Sequence, residues 1–215
     1  MGIFVYSECR YFDQDEVFIM SSVATATEAP IALKPAPPVV DIPVIFKAKK
    51  AREVILYIVQ RAPIADRLHI CKIIYFADRY HLEKYARLIC NDRYVAMKYG
   101  PVPDGIYDII KNAESAEDSD FAVDDFAVSP LREADLTLLS ESDRAALDWA
   151  IQQYGSLSVT SLSQASHDET WNKVTQRGAL LHAPYFKRAI PIPLPEITNT
   201  LKDGELLTSY LLEQH

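Results

Sequence analysis

Glycine is scarce in this chain, and its six copies form neither a GxGxxG fingerprint nor a Walker loop. That excludes the common nucleotide sites, which need glycine where the backbone closes around phosphate. Cysteine is sparser still. Cys9, Cys71 and Cys90 are odd in number and lack metal spacing, which argues against a disulfide framework and against a zinc site. No long apolar run is present. Val17 to Leu33 contains Glu28 and is rich in Ser, Thr and Ala, too short and too polar to span a bilayer. Met1 to Tyr11 lacks the basic start and apolar core of a secretory signal. These absences predict a cytoplasmic chain with no membrane partner. An excess of positive charge is also missing. Lys and Arg number 22 against 30 Asp and Glu, a net charge of -8, which disfavours nucleic acid as a partner of the whole chain.

What is present is an ordinary globular composition, 49% hydrophobic and 24% charged over 215 residues, enough for one core with an appendage. Residues 30–45 form a proline-rich linker, with five of the thirteen prolines between Pro30 and Pro43. Before it, residues 1–29 are an extension whose β-prone runs, Ile3–Tyr6 and Val17–Met20, read as a hairpin; Met20 is also a candidate start. Residues 46–190 form the body, and 191–215 a helical tail. Charge within the body is uneven. Phe46 to Asn112 holds thirteen Lys or Arg against seven acids, and Glu114 to Asp125 holds six acids and no base. This is either a dipolar surface for a charged partner or simply solvated surface.

The periodicities predict a mainly α, compact domain with a small β-element. Ala51, Val54, Ile55, Ile58 and Val59 make one helical stripe. Asp66 to Tyr85 is a longer helix, apolar almost all round its middle and therefore central. Arg87–Asn91 and Arg93–Lys98 read as two short strands about an Asn-Asp turn. In Tyr99-Gly100-Pro101-Val102-Pro103, Gly100 and Pro101 are expected to turn the chain into a helix starting near Val102. Weak strands follow at 121–123 and 126–128. Ser140 to Asp143 is a capping signal for the next helix.

Catalytic patterns are thin. His69 and Cys71 are two apart on a helix, so their side chains diverge by about 200°. Cys71 among isoleucines reads as a small core hydrophobe, and His167-Asp168-Glu169 completes no metal motif. No catalytic residue, metal or cofactor is expected. Six tyrosines between Tyr75 and Tyr107 coincide with most of the basic charge. Either they line the core with their hydroxyls bonded, or they form an interface, tyrosine and arginine being favoured at hot spots. On the second reading Tyr80, Arg93, Tyr94, Lys98, Tyr99 and Tyr107 are the candidate partner contacts. Stacking of single-stranded RNA on the same face, or an unrecognised enzyme, is the alternative. His167 and Trp171, four apart, share a helical face and either lock the last helices or form a recognition patch.

The run KIIYFADRYHLEKYARLICNDRYVAMKYGPVPDGIYDII, followed by LDWAIQQYGSLSVTSLSQASHDETWNKV, resembles the Panacea domain of SocA-type antitoxins. Gly100, Pro101, Val102, His167 and Trp171 carry the likeness. The resemblance implies a mostly helical, non-enzymatic domain that neutralises an adjacently encoded toxin by direct binding. It also implies a Clp-type protease as a second partner, where the antitoxin works as a proteolytic adaptor.

Overall fold

The computed structural model describes residues 41–115, 120–181 and 189–214. The expected N-terminal hairpin and most of the proline linker lie outside them. The described residues are organised around one helix, α2 (Arg67–Tyr85). Asp66 starts it, its carboxylate accepting from the His69 backbone N–H at 2.8 Å. Twelve of the fourteen residues from Leu68 to His81, all but Arg79 and Tyr80, are buried. Ile70, Ile73, Ile74, Tyr75 and Ala77 are all buried. Around α2 pack α1 (Ala48–Val59), α3 (Asp104–Ser115), α4 (Glu141–Tyr154), α5 (Val159–Ser166) and α7 (Leu194–Thr198).

α4 begins at the expected cap, where Ser140 and Asp143 form a reciprocal capping box. His81 of α2 meets Ser142, Tyr80 stacks on Trp149 and Phe76 stacks on Tyr154, so the two helices run in opposite directions. α6 (Glu169–Leu181) and α8 (Gly204–Glu213) complete the helices among the described residues. The architecture is mainly α with two small antiparallel sheets, as the periodicities predict. No helix among the described residues is long and apolar enough to cross a membrane.

The strands differ from expectation in place. Residues 87–91 are not a strand. The Asp78 carboxylate accepts from the Ile89 N–H at 2.7 Å, and the Lys47 N–H donates to the Cys90 carbonyl at 2.9 Å. Asn91 has φ of 51°, which breaks any extended run. This apolar burst is held by a helix side chain and a helix terminus in place of a partner strand. The hairpin lies one step later, between β1 (Tyr94–Met97) and β2 (Gly100–Pro103), with Val95 opposite Val102. Gly100 and Pro101 therefore belong to a strand, and helix α3 starts at Asp104 where Val102 was expected. A third strand, β5 (Ile190–Ile192), pairs with the other side of β1. The order β2-β1-β5 puts Pro101, Pro103 and Pro191 on edge strands, where a missing N–H costs no ladder bond.

The second hairpin, β3 (Phe121–Asp124) and β4 (Ala127–Pro130), falls where the weak strands were expected. Asp120 and Glu114, at the edges of the acidic segment, are used within the chain. Asp120 binds Arg52 at 2.7 Å and Arg132 at 2.6 Å, and Glu114 binds Arg67. At the other end, Ile42 is buried and the Asp41 carboxylate accepts from the Leu194 N–H at 3.0 Å.

Candidate functional site

The stretches that carry the family likeness come together at one junction. The β1–β2 hairpin lies on α2 and on the link between α5 and α6. Ser158 caps α5, accepting from the Ser161 N–H, and so aims Ser163 and Ser166 along one face toward the hairpin. Ser163 Oγ donates to the Tyr99 carbonyl at 3.3 Å, and Ser166 Oγ to the Ser163 carbonyl at 2.9 Å. From α2, Lys72 Nζ donates to the Pro101 carbonyl at 2.7 Å. Side chains of two helices thus hold two carbonyls of the Tyr-Gly-Pro segment.

Gly100 is required twice over. Its φ of +104° is a conformation that residues with a Cβ rarely adopt, and a Cβ there would sit 2.2 Å from Ser166 Oγ and 3.0 Å from Lys72 Nζ.

At the start of α6, Asp168 gathers three donors. Its Oδ1 takes the Trp171 N–H at 3.0 Å; its Oδ2 takes the Tyr75 hydroxyl at 2.6 Å and lies 3.2 Å from Arg79. Burial, chiefly, lifts the Tyr75 hydroxyl well above the usual tyrosine range. His167 and Trp171 stack with ring centroids 3.8 Å apart, inclined 14°. The Trp171 indole N–H donates to the Met97 carbonyl at 2.9 Å. The pair is half-buried, so it ties the last helices to the hairpin and still presents a surface. Burial lowers the His167 imidazole, helped by the charge of Lys72, and its Nε2 has no hydrogen-bond partner among the described residues.

The candidate contacts do not form a single patch. Lys98 and Tyr99 sit together in the hairpin turn, the lysine 5.2 Å from the ring centroid. Arg93 is exposed at the start of the hairpin. Tyr80 is on another face, in an aromatic ladder with Trp149 and Tyr154, with Lys84 5.8 Å from its ring centroid. Tyr107 lies beneath Arg67. Tyr94 is in the core: it is 2% exposed and its hydroxyl donates to Asp78 at 2.7 Å, which takes it out of any surface patch. Pro101 and Val102 are buried in β2.

Sequence reasoning passed over Lys72, Ser163, Ser166, Asp168 and Trp149. Lys72 alone had left a trace, as the only charged residue between Leu68 and Ala77.

Little here is arranged for covalent chemistry. Burial pushes the Cys71 thiol up to about 12, and that of Cys90 well above its usual value, so both are protonated at neutral pH. Among the described residues, no group of three or more His, Cys, Asp or Glu could hold a metal ion. The junction offers shape, half-exposed aromatic rings and a cation, the means of binding a macromolecule.

No curated protein matches this chain, and neither does any solved structure. A family model described as "Antitoxin SocA-like, Panacea domain" matches residues 70–172, from the first turn of α2 to just past Trp171, so the likeness is detected across the segment that builds this junction.

Proposed function

We propose that this chain is an antitoxin that neutralises a toxin encoded beside it by binding it directly, without catalysis. The observation that carries this reading is the Panacea family match over residues 70–172. The junction described above supports the binding mode. The turn residues Lys98 and Tyr99 stand beside the half-buried His167–Trp171 stack, and aromatic rings with an adjacent cation are the usual anchors of protein interfaces. Arg93, Tyr80 and Tyr107 would contribute from the flanking faces. Delivery of the bound toxin to a Clp-type protease is a further step that the family likeness suggests.

The alternative, stacking of RNA on Tyr80 and Trp149, draws on the ladder with Lys84. The net charge of -8 weighs against it, because phosphate binding depends on an excess of cations.

Co-expression with the adjacent gene tests the reading. Growth arrest by the neighbour's product should be relieved, and the two proteins should elute as one complex free of nucleic acid. Arrest that persists despite soluble protein overturns the antitoxin reading, and copurifying RNA in place of the protein would favour the alternative. Rescue that disappears in a host lacking Clp proteases would establish the adaptor step; unchanged rescue would remove it.

A further inference from the structure

Lys72 is the most anomalous group in the molecule. It is 1% exposed, in the all-round apolar stretch of the central helix. Among the described residues its amine has one hydrogen-bond partner, the Pro101 carbonyl, and no carboxylate in ion-pair contact. Buried lysines are ordinarily paired, because an isolated ammonium in an apolar interior loses most of its solvation. The carboxylate whose charge acts on it, Asp168, is already held by Tyr75, Arg79 and the Trp171 N–H. The carbonyl that Lys72 does hold belongs to the edge strand β2, which rests on α2 and α5 and on a single partner strand. A buried amine without a counter-ion thus fastens the outermost strand of the junction.

We propose that Lys72 is a proton-operated latch: as the neutral amine it keeps the β1–β2 hairpin closed on α2 and α5, and on gaining a proton from solvent it favours release of the hairpin to water. A neutral amine donates to the Pro101 carbonyl at no charge cost. A protonated one is a buried cation whose cheapest remedy is to admit water, and the edge strand beside it is paired on one side only.

Lys72 shares the range near neutrality with two other groups of α2. Burial raises Asp78, which accepts from Tyr94 of β1, to about 7, and against the effect of burial His69 is raised by its bond to Asp66. Removal of Lys72 alone therefore isolates its part. On α2 it is faced by Cys71, Tyr75 and Arg79, and burial raises the thiol to about 12 and the phenol above its usual range, so neither changes charge near neutrality. At the α5–α6 link it is faced by His167, which burial keeps neutral, and by Asp168. In the hairpin turn stand Lys98 and Tyr99, with Asp92 and Asp104 at the hairpin's base; α5 itself contains no titratable residue. Burial draws the Lys72 amine from 10.5 down to about 7, with Asp168 opposing that shift. Its value is lower in the folded state than in the unfolded one. The closed state is therefore most favoured above about pH 10.5, weakens as pH falls toward 7, and is insensitive to Lys72 below that. Any effect on toxin binding rests on the antitoxin reading; the latch does not.

Hydrogen exchange on the full-length chain tests it, read at the hairpin amides and at the Trp171 indole N–H and corrected for intrinsic exchange rates. Between pH 9 and pH 7 the opening constant should rise, by at most about tenfold per pH unit for one proton. In Lys72→Met the slope between pH 9 and pH 7 should flatten and the hairpin should be better protected at pH 7. Equal pH slopes in the two proteins overturn the latch. If Lys72→Met does not fold, the nitrogen-15 resonance of the Lys72 amine in the native chain decides. A midpoint near 7 together with loss of hairpin protection supports the latch, and a midpoint among the exposed lysines overturns it. Complex formation with the neighbour's product at pH 6.5 and 8.5 keeps the two ideas apart. No complex at either pH defeats the antitoxin reading while leaving the exchange result to judge the latch.

Discussion

Two hairpins of similar size dock on the same helical body with different fastenings. The β1–β2 hairpin is held from inside, by Lys72, Ser163 and Trp171 donating to its carbonyls and by a glycine whose missing side chain lets a helix approach. The β3–β4 hairpin buries Phe121 and Val128, exchanges backbone bonds with Ala65 and Arg67, and is clasped by ion pairs on the outside. Arg132 grips Glu53 at 2.6 and 2.8 Å and Asp120 at 2.6 Å, and Arg52 joins Asp120 from α1. The first is fastened by buried and half-buried donors; the second adds to its buried side chains a clasp of charges in partial contact with solvent. A segment that must present a fixed surface gains from the first arrangement, because buried short-range contacts leave few alternative positions. A clasp of ion pairs tolerates movement and responds to salt.

The comparison predicts its largest effect at Gly100. Gly100→Val should destabilise the fold by about 3 kcal/mol or more, since it combines positive φ with a clash against Ser166, and the melting temperature should fall in proportion. An unchanged melting temperature would show that the junction yields more easily than its geometry implies. Next comes the clasp. Arg132→Ala strands the buried Glu53 carboxylate and should cost about 1–2 kcal/mol after allowance for the exposed half of the pair, with the loss shrinking at high salt. Arg132 holds the Glu53 and Asp120 carboxyls below their usual values, so their contribution is present above the ordinary carboxylate range and is lost as pH falls through the folded values. The clasp should therefore loosen in acid, and a clasp indifferent both to salt and to acid would break the contrast. The smallest effect is expected for Trp171→Phe, which keeps an aromatic face on His167 but removes the bond to Met97. It should cost about 1 kcal/mol and, unlike the clasp, show no salt dependence in denaturant unfolding.

Much of the helical frame is legible in the sequence, because α1, α2 and α4 announce themselves by stripes and by the caps at Asp66 and Ser140. The hairpins are legible unevenly. The β3–β4 strands stand between clear turn residues. Leu88-Ile89-Cys90, by contrast, imitates a strand while its backbone bonds go to Asp78 and Lys47, which no local pattern reveals. Gly100 and Pro101 look like a helix entry because proline suits a first turn, yet an edge strand tolerates proline equally well. The site was less visible. Tyr94 and Tyr99 are indistinguishable by composition, and only the Asp78 carboxylate waiting inside decides that Tyr94 is core. Lys72 passes for a solvated charge until α5 and β2 are seen to close over it. Contacts between residues 11, 16, 29 and 43 positions apart set these outcomes, and periodicity in a local window reports none of them.

The proposed antitoxin role requires that this chain bind a protein. Titration calorimetry of the purified chain against the purified product of the adjacent gene tests it most directly, with a second run after residues 1–40 are removed so that Asp41 and Ile42 stay in place. The account predicts a saturable, stoichiometric complex that survives the truncation. An active, folded toxin that gives no binding signal with the full-length chain would contradict it.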